Sequence, residues 1–166
     1  MNMKIRNAIG SDLKAIIAIY NASIPSKIVT ADTEPVTIES RSSWFDRHDP
    51  KTRPIWVVEV NNNLAGWLSF QDFYGRPAYR QTAELSIYIA PDYHRRGLGN
   101  MLLKKAIDTC PDLEINTLLA FIFNSNQASL NLFLKYQFKE WGYLPKVATI
   151  AREDRDLIIL GRKITI

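Results

Sequence analysis

The stretch "YHRRGLGN", residues 93–100, places three basic side chains and two glycines between a strand-like apolar pattern and a long amphipathic segment. The first N–H groups of a helix carry partial positive charge, glycine lets a ligand approach the backbone, and arginine adds a forked cation. The stretch therefore predicts an anion-binding turn at a helix N-terminus, with a solvated basic turn as the alternative. Neither a Walker loop nor a complete dinucleotide fingerprint fits its spacing.

Apolar periodicity on either side of this turn predicts alternating strands and helices. Ser11 and Asp12 are typical helix caps, and "NNN" at 61–63 is typical of a hairpin. The order predicts an α/β (mixed α+β) fold, with a mixed sheet of about seven strands and helices on both faces. The predicted strands are 3–8, 54–60, 64–73, 82–90, 115–123, 138–144 and 155–164, and the predicted helices are 13–24, 38–48, 100–110 and 126–136.

Length and composition predict one domain over residues 1–166, because no linker, repeat or low-complexity tract interrupts the chain. No apolar run approaches the roughly 20 residues of a membrane helix, so no membrane association is expected. The N-terminus lacks the apolar centre of a signal peptide. Cys110 is the single cysteine and no Cys/His cluster has metal-ligand spacing. These features predict a cytoplasmic, metal-free protein.

The charge balance favours a small anionic ligand over nucleic acid. Lys and Arg number 21 against 17 Asp and Glu, for a net charge of +4, and the positive charges are spread along the chain. Nucleic-acid-binding domains usually show a basic cluster or a recognisable motif. A nucleic-acid module is therefore the weakest of the functional alternatives.

Two motifs together resemble the GCN5-related N-acetyltransferase (GNAT) superfamily. His94 to Gly99 is similar to the family's pyrophosphate loop, Gln/Arg-x-x-Gly-x-Gly/Ala, with histidine at the first position, and Asn126 to Ser129 matches its Asn-x-x-[Ala/Ser] helix start. The resemblance implies the GNAT fold and acetyl-CoA as cosubstrate, with the pantetheine arm along the backbone of residues 87–89. The implied cofactor-binding residues are Ile87, Tyr88, Ile89, Arg95, Arg96, Gly97, Leu98, Gly99, Asn100, Asn126 and Ser129.

Longer segments resemble the phosphinothricin or methionine sulfoximine acetyltransferase branch of this superfamily. They are "IYN" (19–21), "TADTEP" (30–35), "FYGRPAYRQTAELSIYI" (73–89), "FKEWG" (138–142) and "DLIILGR" (156–162). The resemblance implies a small amino-acid-like amine as acceptor and a homodimer as the assembly. It implies Glu84 as the catalytic base, and its implied substrate-binding residues are Tyr74, Gly75, Arg76, Glu84, Leu85 and Ser86.

Elementary chemistry is consistent with these roles. An α-amino group has a pKa near ~8, so acetyl transfer at neutral pH needs a base, and Glu84 lies on the polar face of a strand whose other face is apolar. The alternative is that Glu84 forms a salt bridge with Arg76 or Arg80. Arg76 lies between glycine and proline, and its fork suits a carboxylate. A backbone N–H near Tyr88 could stabilise the oxyanion.

Two positions depart from the family pattern. Phe133 occupies the place of a His or Tyr that could act as a second acid, and "ATIAREDRD" at 148–156 keeps only Asp156 of the branch's C-terminal motif. These departures leave two alternatives open. One is an acetyltransferase for another amine, such as a polyamine, an aminoglycoside or a protein N-terminus. The other is a domain that binds acyl-CoA as a sensor without catalysis.

Overall fold

A computed structural model describes residues 1–165 of the chain, and it contains the predicted number and order of long elements. The helices are α1 (Leu13–Ser23), α2 (Ile38–Asp46), α3 (Leu98–Thr109) and α4 (Gln127–Lys135). The strands are β1 (Met3–Asn7), β2 (Ile55–Val60), β3 (Asn63–Asp72), β4 (Thr82–Ile89), β5 (Thr117–Phe123), β6 (Lys139–Ile150) and β7 (Glu153–Lys163). No helix within residues 1–165 is long and apolar enough to cross a membrane.

The seven strands form one mixed sheet in the order β1-β2-β3-β4-β5-β7-β6. Neighbouring strands are antiparallel except β4 and β5, which are parallel and joined by the α3 crossover. The predicted mixed sheet is therefore confirmed. The α4 crossover leads to β6, which lies beyond β7 at the edge of the sheet and does not pair with β5.

Helices cover both faces of the sheet, as predicted. Leu98, Leu102 and Leu103 of α3 pack with the apolar side chains of β4 in the main core, and α4 adds Leu130 and Phe133. On the opposite face α1 packs against β2 and β3 in a smaller core around Ile16. Because side chains alternate along a strand, β4 sends Leu85 into the main core and turns its polar residues toward α1 and α2.

Three local predictions need correction. Helix α3 begins at Leu98 rather than residue 100, because Gly97 takes a left-handed conformation (φ 80°) and ends the preceding turn. The last hairpin is longer than predicted, since β6 continues to Ile150 and β7 begins at Glu153. Asp12 makes no side-chain cap to α1; its carboxylate accepts hydrogen bonds from the backbone N–H of Ile9 and from Arg6.

Candidate active site

A cleft opens where β4 and β5 separate. Their parallel register runs only from Thr82 opposite Thr117 to Glu84 opposite Leu119, so β4 from Leu85 onward is not paired with β5. The cleft between the diverging strands, called here the β4–β5 cleft, is lined by Val29, Leu85, Ser86, Ile87, Tyr88, Ala120, Phe121, Ile122, Asn126, Ser129 and Phe133. A strand edge without a partner can accept an extended ligand as an added strand.

The basic turn joins the end of β4 to α3. Arg95 and Gly97 both have positive φ (60° and 80°), and the Nε2 atom of His94 lies 2.9 Å from the carbonyl oxygen of Ile89. A Cβ added at Gly97 would meet nothing within 4 Å, so this glycine faces open space. Arg96 is exposed and its guanidinium lies over the Tyr93 ring. The turn thus presents backbone N–H groups and two arginines at the start of a helix of 12 residues.

The first turn of α3 is held against α4. Leu98 is buried in the core, and a Cβ added at Gly99 would lie 3.1 Å from the side chain of Leu132. The Asn100 side chain accepts a hydrogen bond from Lys135 at 2.9 Å. Leu98 and Gly99 can therefore offer a ligand only backbone groups, while Asn100 joins the two helices.

The start of α4 faces the β4–β5 cleft. Asn126 is the buried N-cap of α4, and its side-chain oxygen accepts a hydrogen bond from the backbone N–H of Ser129 at 3.3 Å. Both residues line the cleft together with Ser86 to Tyr88, so the structure brings these sequence-predicted positions to one place. Phe133 also lines the cleft and is 3% exposed, in edge-to-face contact with Phe138. It offers no proton donor there.

Glu84 is half-buried at the point where the strands part. Burial raises the pKa of its carboxyl above the ordinary value, because a charged carboxylate loses solvation there. Within residues 1–165 no basic side chain lies within salt-bridge distance of it: the six ion pairs found involve other residues, and neither Arg76 nor Arg80 is among them. The salt-bridge alternative for Glu84 is therefore wrong within the single chain.

A second cavity, called here the α1–α2 cavity, lies on the polar face of β4. Its volume is about 140 Å³, and it is lined by Ile16, Ile17, Tyr20, Val36, Arg41, Trp44, Trp67, Ser69, Gln71, Ser86 and Tyr88. Ser86 and Tyr88 line the β4–β5 cleft as well, so the two openings meet at these residues. Glu84 precedes Ser86 by two residues on the same face of β4, and it is paired in register with Gln71 of the cavity wall.

A polar network joins two residues of the α1–α2 cavity lining, Tyr20 and Arg41, through Asp32. The Asp32 carboxylate accepts hydrogen bonds from the Tyr20 hydroxyl and, at 2.7 Å, from Arg41, whose guanidinium also lies over the Tyr20 ring. Burial and the Asp32 contact raise the pKa of Tyr20 to about 12. Burial also raises the pKa of Tyr88 above its ordinary value. Both tyrosines are therefore neutral at physiological pH and keep their hydroxyl protons for hydrogen bonding.

The predicted substrate loop lies elsewhere. Tyr74, Gly75 and Arg76 belong to the connection between β3 and β4; all three are exposed, and Tyr74 is 77% exposed. Gly75 and Arg76 line a separate hollow with Arg80, outside both openings described above. Leu85 turns its side chain into the main core, which leaves only its backbone for a ligand. Glu84 and Ser86 are thus brought together, whereas the loop residues stand apart from them.

Several cavity residues were missed by sequence reasoning. Arg41 and Trp44 are one helical turn apart on α2, in a segment with no recognisable motif. Ser69 is a polar residue inside the apolar run of β3, and this interruption was the one available signal. No group of three or more His, Cys, Asp and Glu side chains that could hold a metal ion occurs in the part of the chain that the structure describes.

The described features define a class of protein: a mixed α/β domain with an open cleft between two diverging strands, a basic helix N-terminus after one of them and a half-buried carboxylate where they part. The profile of the Acetyltransferase (GNAT) family matches residues 16–138. The chain belongs to the GNAT acetyltransferase family and is an N-acetyltransferase. The family predicted from the two motifs is confirmed.

Individual relatives support the same assignment. YwnH of Bacillus subtilis (strain 168), provisionally named a phosphinothricin acetyltransferase, is 49% identical over 98% of this chain and 100% of its own length. A Pseudomonas aeruginosa enzyme named L-methionine sulfoximine/L-methionine sulfone acetyltransferase is 30% identical over 89% of this chain and 86% of its own. YncA of Salmonella typhimurium, solved with acetyl-CoA, superposes with a TM-score of 0.93 at 28% identity, covering 100% of this chain and 96% of that one.

Proposed function

We propose that this enzyme transfers the acetyl group of acetyl-CoA to the amine of a small amino-acid-like substrate. The observation that carries the proposal is the meeting of the α1–α2 cavity and the β4–β5 cleft at Ser86 and Tyr88. Two substrates that enter by separate openings would come together there, close to Glu84. Such a junction favours direct transfer between two bound reactants.

The cosubstrate would lie along the β4–β5 cleft. Its pyrophosphate would contact the turn at residues 95–100, where N–H groups of the first turn of α3 are free, and its pantetheine arm would pair with the backbone of residues 87–89. Asn126 and Ser129 would contact the arm from the other side of the cleft. The acetyl-CoA bound to the Salmonella relative supports the choice of ligand.

Glu84 would serve as the general base. The amine lone pair attacks the thioester carbonyl carbon, the amine proton passes to the Glu84 carboxylate directly or through water, and a backbone N–H near Tyr88 stabilises the oxyanion. The C–S bond then breaks and the thiolate leaves. Because thiols are much more acidic than alcohols, departure needs no dedicated acid, which is consistent with Phe133 in the cleft.

The acceptor would be a free amino acid or a close analogue. The names of the two relatives, which specify phosphinothricin and methionine sulfoximine or sulfone, support this class. The α1–α2 cavity has no acidic residue in its lining, so it lacks the carboxylates that would pair with the several cations of a polyamine or aminoglycoside. Arg76 stays our candidate for the substrate carboxylate, reached through movement of its exposed loop or from a second copy of the chain.

Two further parts of the proposal concern assembly and location. A homodimer is supported by β6, which forms one edge of the sheet and exposes Trp141, Tyr143 and Val147. An exposed apolar sheet edge is usually covered by a partner. A cytoplasmic location is supported by Cys110, a free thiol that is fully buried and therefore well suited to a reducing compartment.

Thiol release from acetyl-CoA in the presence of candidate amines tests the function. We expect turnover with phosphinothricin, methionine sulfoximine or methionine sulfone, and little with spermidine, kanamycin or a peptide N-terminus. Higher kcat/KM for a polycationic amine would favour the alternative that the enzyme acetylates a polyamine or an aminoglycoside. Tight acetyl-CoA binding without turnover on any amine would favour the sensor.

A further inference from the structure

Ser69 is a buried hydroxyl without a hydrogen-bond partner. It lies in the middle of β3, where its neighbours Leu68 and Phe70 point into the main core, and its own side chain faces the α1–α2 cavity. The residue is 1% exposed, and its Oγ finds no partner among residues 1–165. Buried hydroxyl groups are nearly always hydrogen-bonded in folded proteins, so an unpaired one in a cavity indicates that a ligand completes it.

The register of the sheet places this hydroxyl near the proposed base. Ser69 pairs with Ser86 and Gln71 pairs with Glu84, so two alternate register pairs set polar residues on one face. Strands lie about 4.8 Å apart and alternate residues of one strand about 6.7 Å apart. An acceptor with its amine at Glu84 would therefore reach Ser69 with a side chain of three or four atoms beyond its α-carbon.

The rest of the cavity selects against a cation at that tip. Trp44, Trp67 and Tyr88 form aromatic walls, with Trp67 stacked on Tyr88 at 4.7 Å between ring centroids. Arg41 is the one charged side chain in the lining, and it is already paired with Asp32 at 2.7 Å. A cationic tip would meet Arg41 without a free carboxylate, while an uncharged polar tip would find hydrogen-bonding groups between aromatic surfaces.

We infer that Ser69 is a specificity-determining residue that hydrogen-bonds a polar tip, without positive charge, on the acceptor's side chain. The inference rests on the proposed function and adds to it the chemistry of the side chain: an oxygen or nitrogen, as in a sulfone, sulfoximine or amide. Ser86 and Gln71 provide further hydrogen-bonding groups beside Ser69. A site built to bond a polar group discriminates against the analogue that lacks it, because its own groups are then left unpaired.

The test compares methionine sulfone with methionine, which share a carbon skeleton and differ in the two oxygens on sulfur. We expect Ser69→Ala to lower kcat/KM for the sulfone on the order of tenfold and to leave that for methionine within about twofold. Ser69→Cys, which is slightly larger and has only a weak donor, should change selectivity in the same direction. Ser43→Ala, at an exposed position of α2, is the matched control and should change neither value.

Thermal unfolding of the unliganded variants provides a second readout. Replacing an unpaired buried hydroxyl by an apolar group costs no hydrogen bond, so the Tm of Ser69→Ala should equal or exceed that of the wild type. Equal loss of kcat/KM for both amino acids, or a Tm several degrees lower, would overturn the inference and leave the proposed function intact. Absence of wild-type turnover with both amino acids would also overturn the inference, whereas absence of turnover with every amino-acid analogue of the panel would refute the proposed function itself.

Discussion

Glu84 and Leu119 form the last register pair between β4 and β5, and the strands separate immediately beyond them. Glu84 therefore lies on β4 directly before the stretch that lines the β4–β5 cleft, where a strand edge becomes free to bind a ligand. The same backbone that ends the parallel pairing thus positions both the proposed base and the proposed track for the pantetheine arm. The separation of β4 from β5 thus links the proposed cosubstrate site to the proposed catalytic base.

Gly97 gives a direct test of the anion-binding turn. Its φ of 80° and its open surroundings mean that a side chain there would be strained and would project into the space assigned to the pyrophosphate. We expect Gly97→Leu to raise the Kd for acetyl-CoA at least tenfold, about 1.4 kcal/mol, measured by isothermal titration calorimetry. Gly75→Leu is the matched control, since Gly75 also has positive φ (63°) and open surroundings. Unchanged affinity in a folded Gly97 variant would exclude the turn from the site.

Arg76 can be tested through the carboxylate that it is proposed to bind. Arg76→Ala should lower kcat/KM for an amino-acid analogue with a free carboxylate, at a cost of about 2 kcal/mol in transition-state stabilisation. The corresponding amide should be affected far less. The amide makes no charge-assisted contact with the guanidinium and so has little to lose. Arg47→Ala, an exposed arginine at the end of α2, controls for the change in net charge. Equal losses for acid and amide would give Arg76 a structural role.

The strands and helices were predictable because their signals are local. Alternation in β4 and the amphipathic face of α3 follow directly from side-chain periodicity. The length of the β6–β7 hairpin was not predictable, since Ala151 and Arg152 form its turn with positive φ and neither residue is typical there. The cap of α1 was mispredicted because Arg6, which lies on β1, binds the Asp12 carboxylate and competes with the helix for it.

The residues of the site also include some that the sequence could predict and some that it could not. The basic turn and the start of α4 are contiguous motifs, so sequence could identify them. The α1–α2 cavity combines residues of two helices and two strands, and only the register between β3 and β4 brings Ser69 beside Ser86. The spacing of residues along the sequence does not reveal that register. The resemblance predicted Arg76 as a site residue, yet within one chain its loop lies apart from the cavity.

The assembly can be tested at the edge of the sheet. Val147 of β6 is 55% exposed in the single chain, so Val147→Lys should leave the fold intact while placing a charge in any interface along that edge. We expect the wild type to sediment as a dimer and the variant to shift toward monomer in sedimentation velocity. Ile9→Lys, at a similarly exposed apolar position (58%) just after β1, should stay dimeric. A monomeric wild type at micromolar concentration would contradict the proposed dimer.

Glu84→Gln separates chemistry from binding, because it keeps the shape of the side chain but cannot accept a proton. We expect acetyl-CoA affinity to survive and turnover to fall ~10²- to 10⁴-fold near neutral pH. The variant's rate should rise with pH as the amine deprotonates without help, so the deficit should shrink in alkali. The measurement is a pH–rate profile of both proteins at saturating acetyl-CoA, with Glu114→Gln, an exposed turn residue, as control.

The thermal stability of Glu84→Gln provides an independent test of the role of Glu84. Burial raises the folded-state pKa of Glu84, so ionisation of this group destabilises the fold progressively as the pH rises from the ordinary pKa of glutamate through the raised folded-state pKa. Glu84→Gln removes the buried charge and should therefore have a Tm at pH 7 equal to or above that of the wild type. A glutamate held in a salt bridge predicts the reverse: lower Tm, near-normal turnover and no rescue by alkali. If Glu84→Gln also kept the wild-type decline of rate at acid pH, the base would have to be another group, and Glu84 would lose its assigned role.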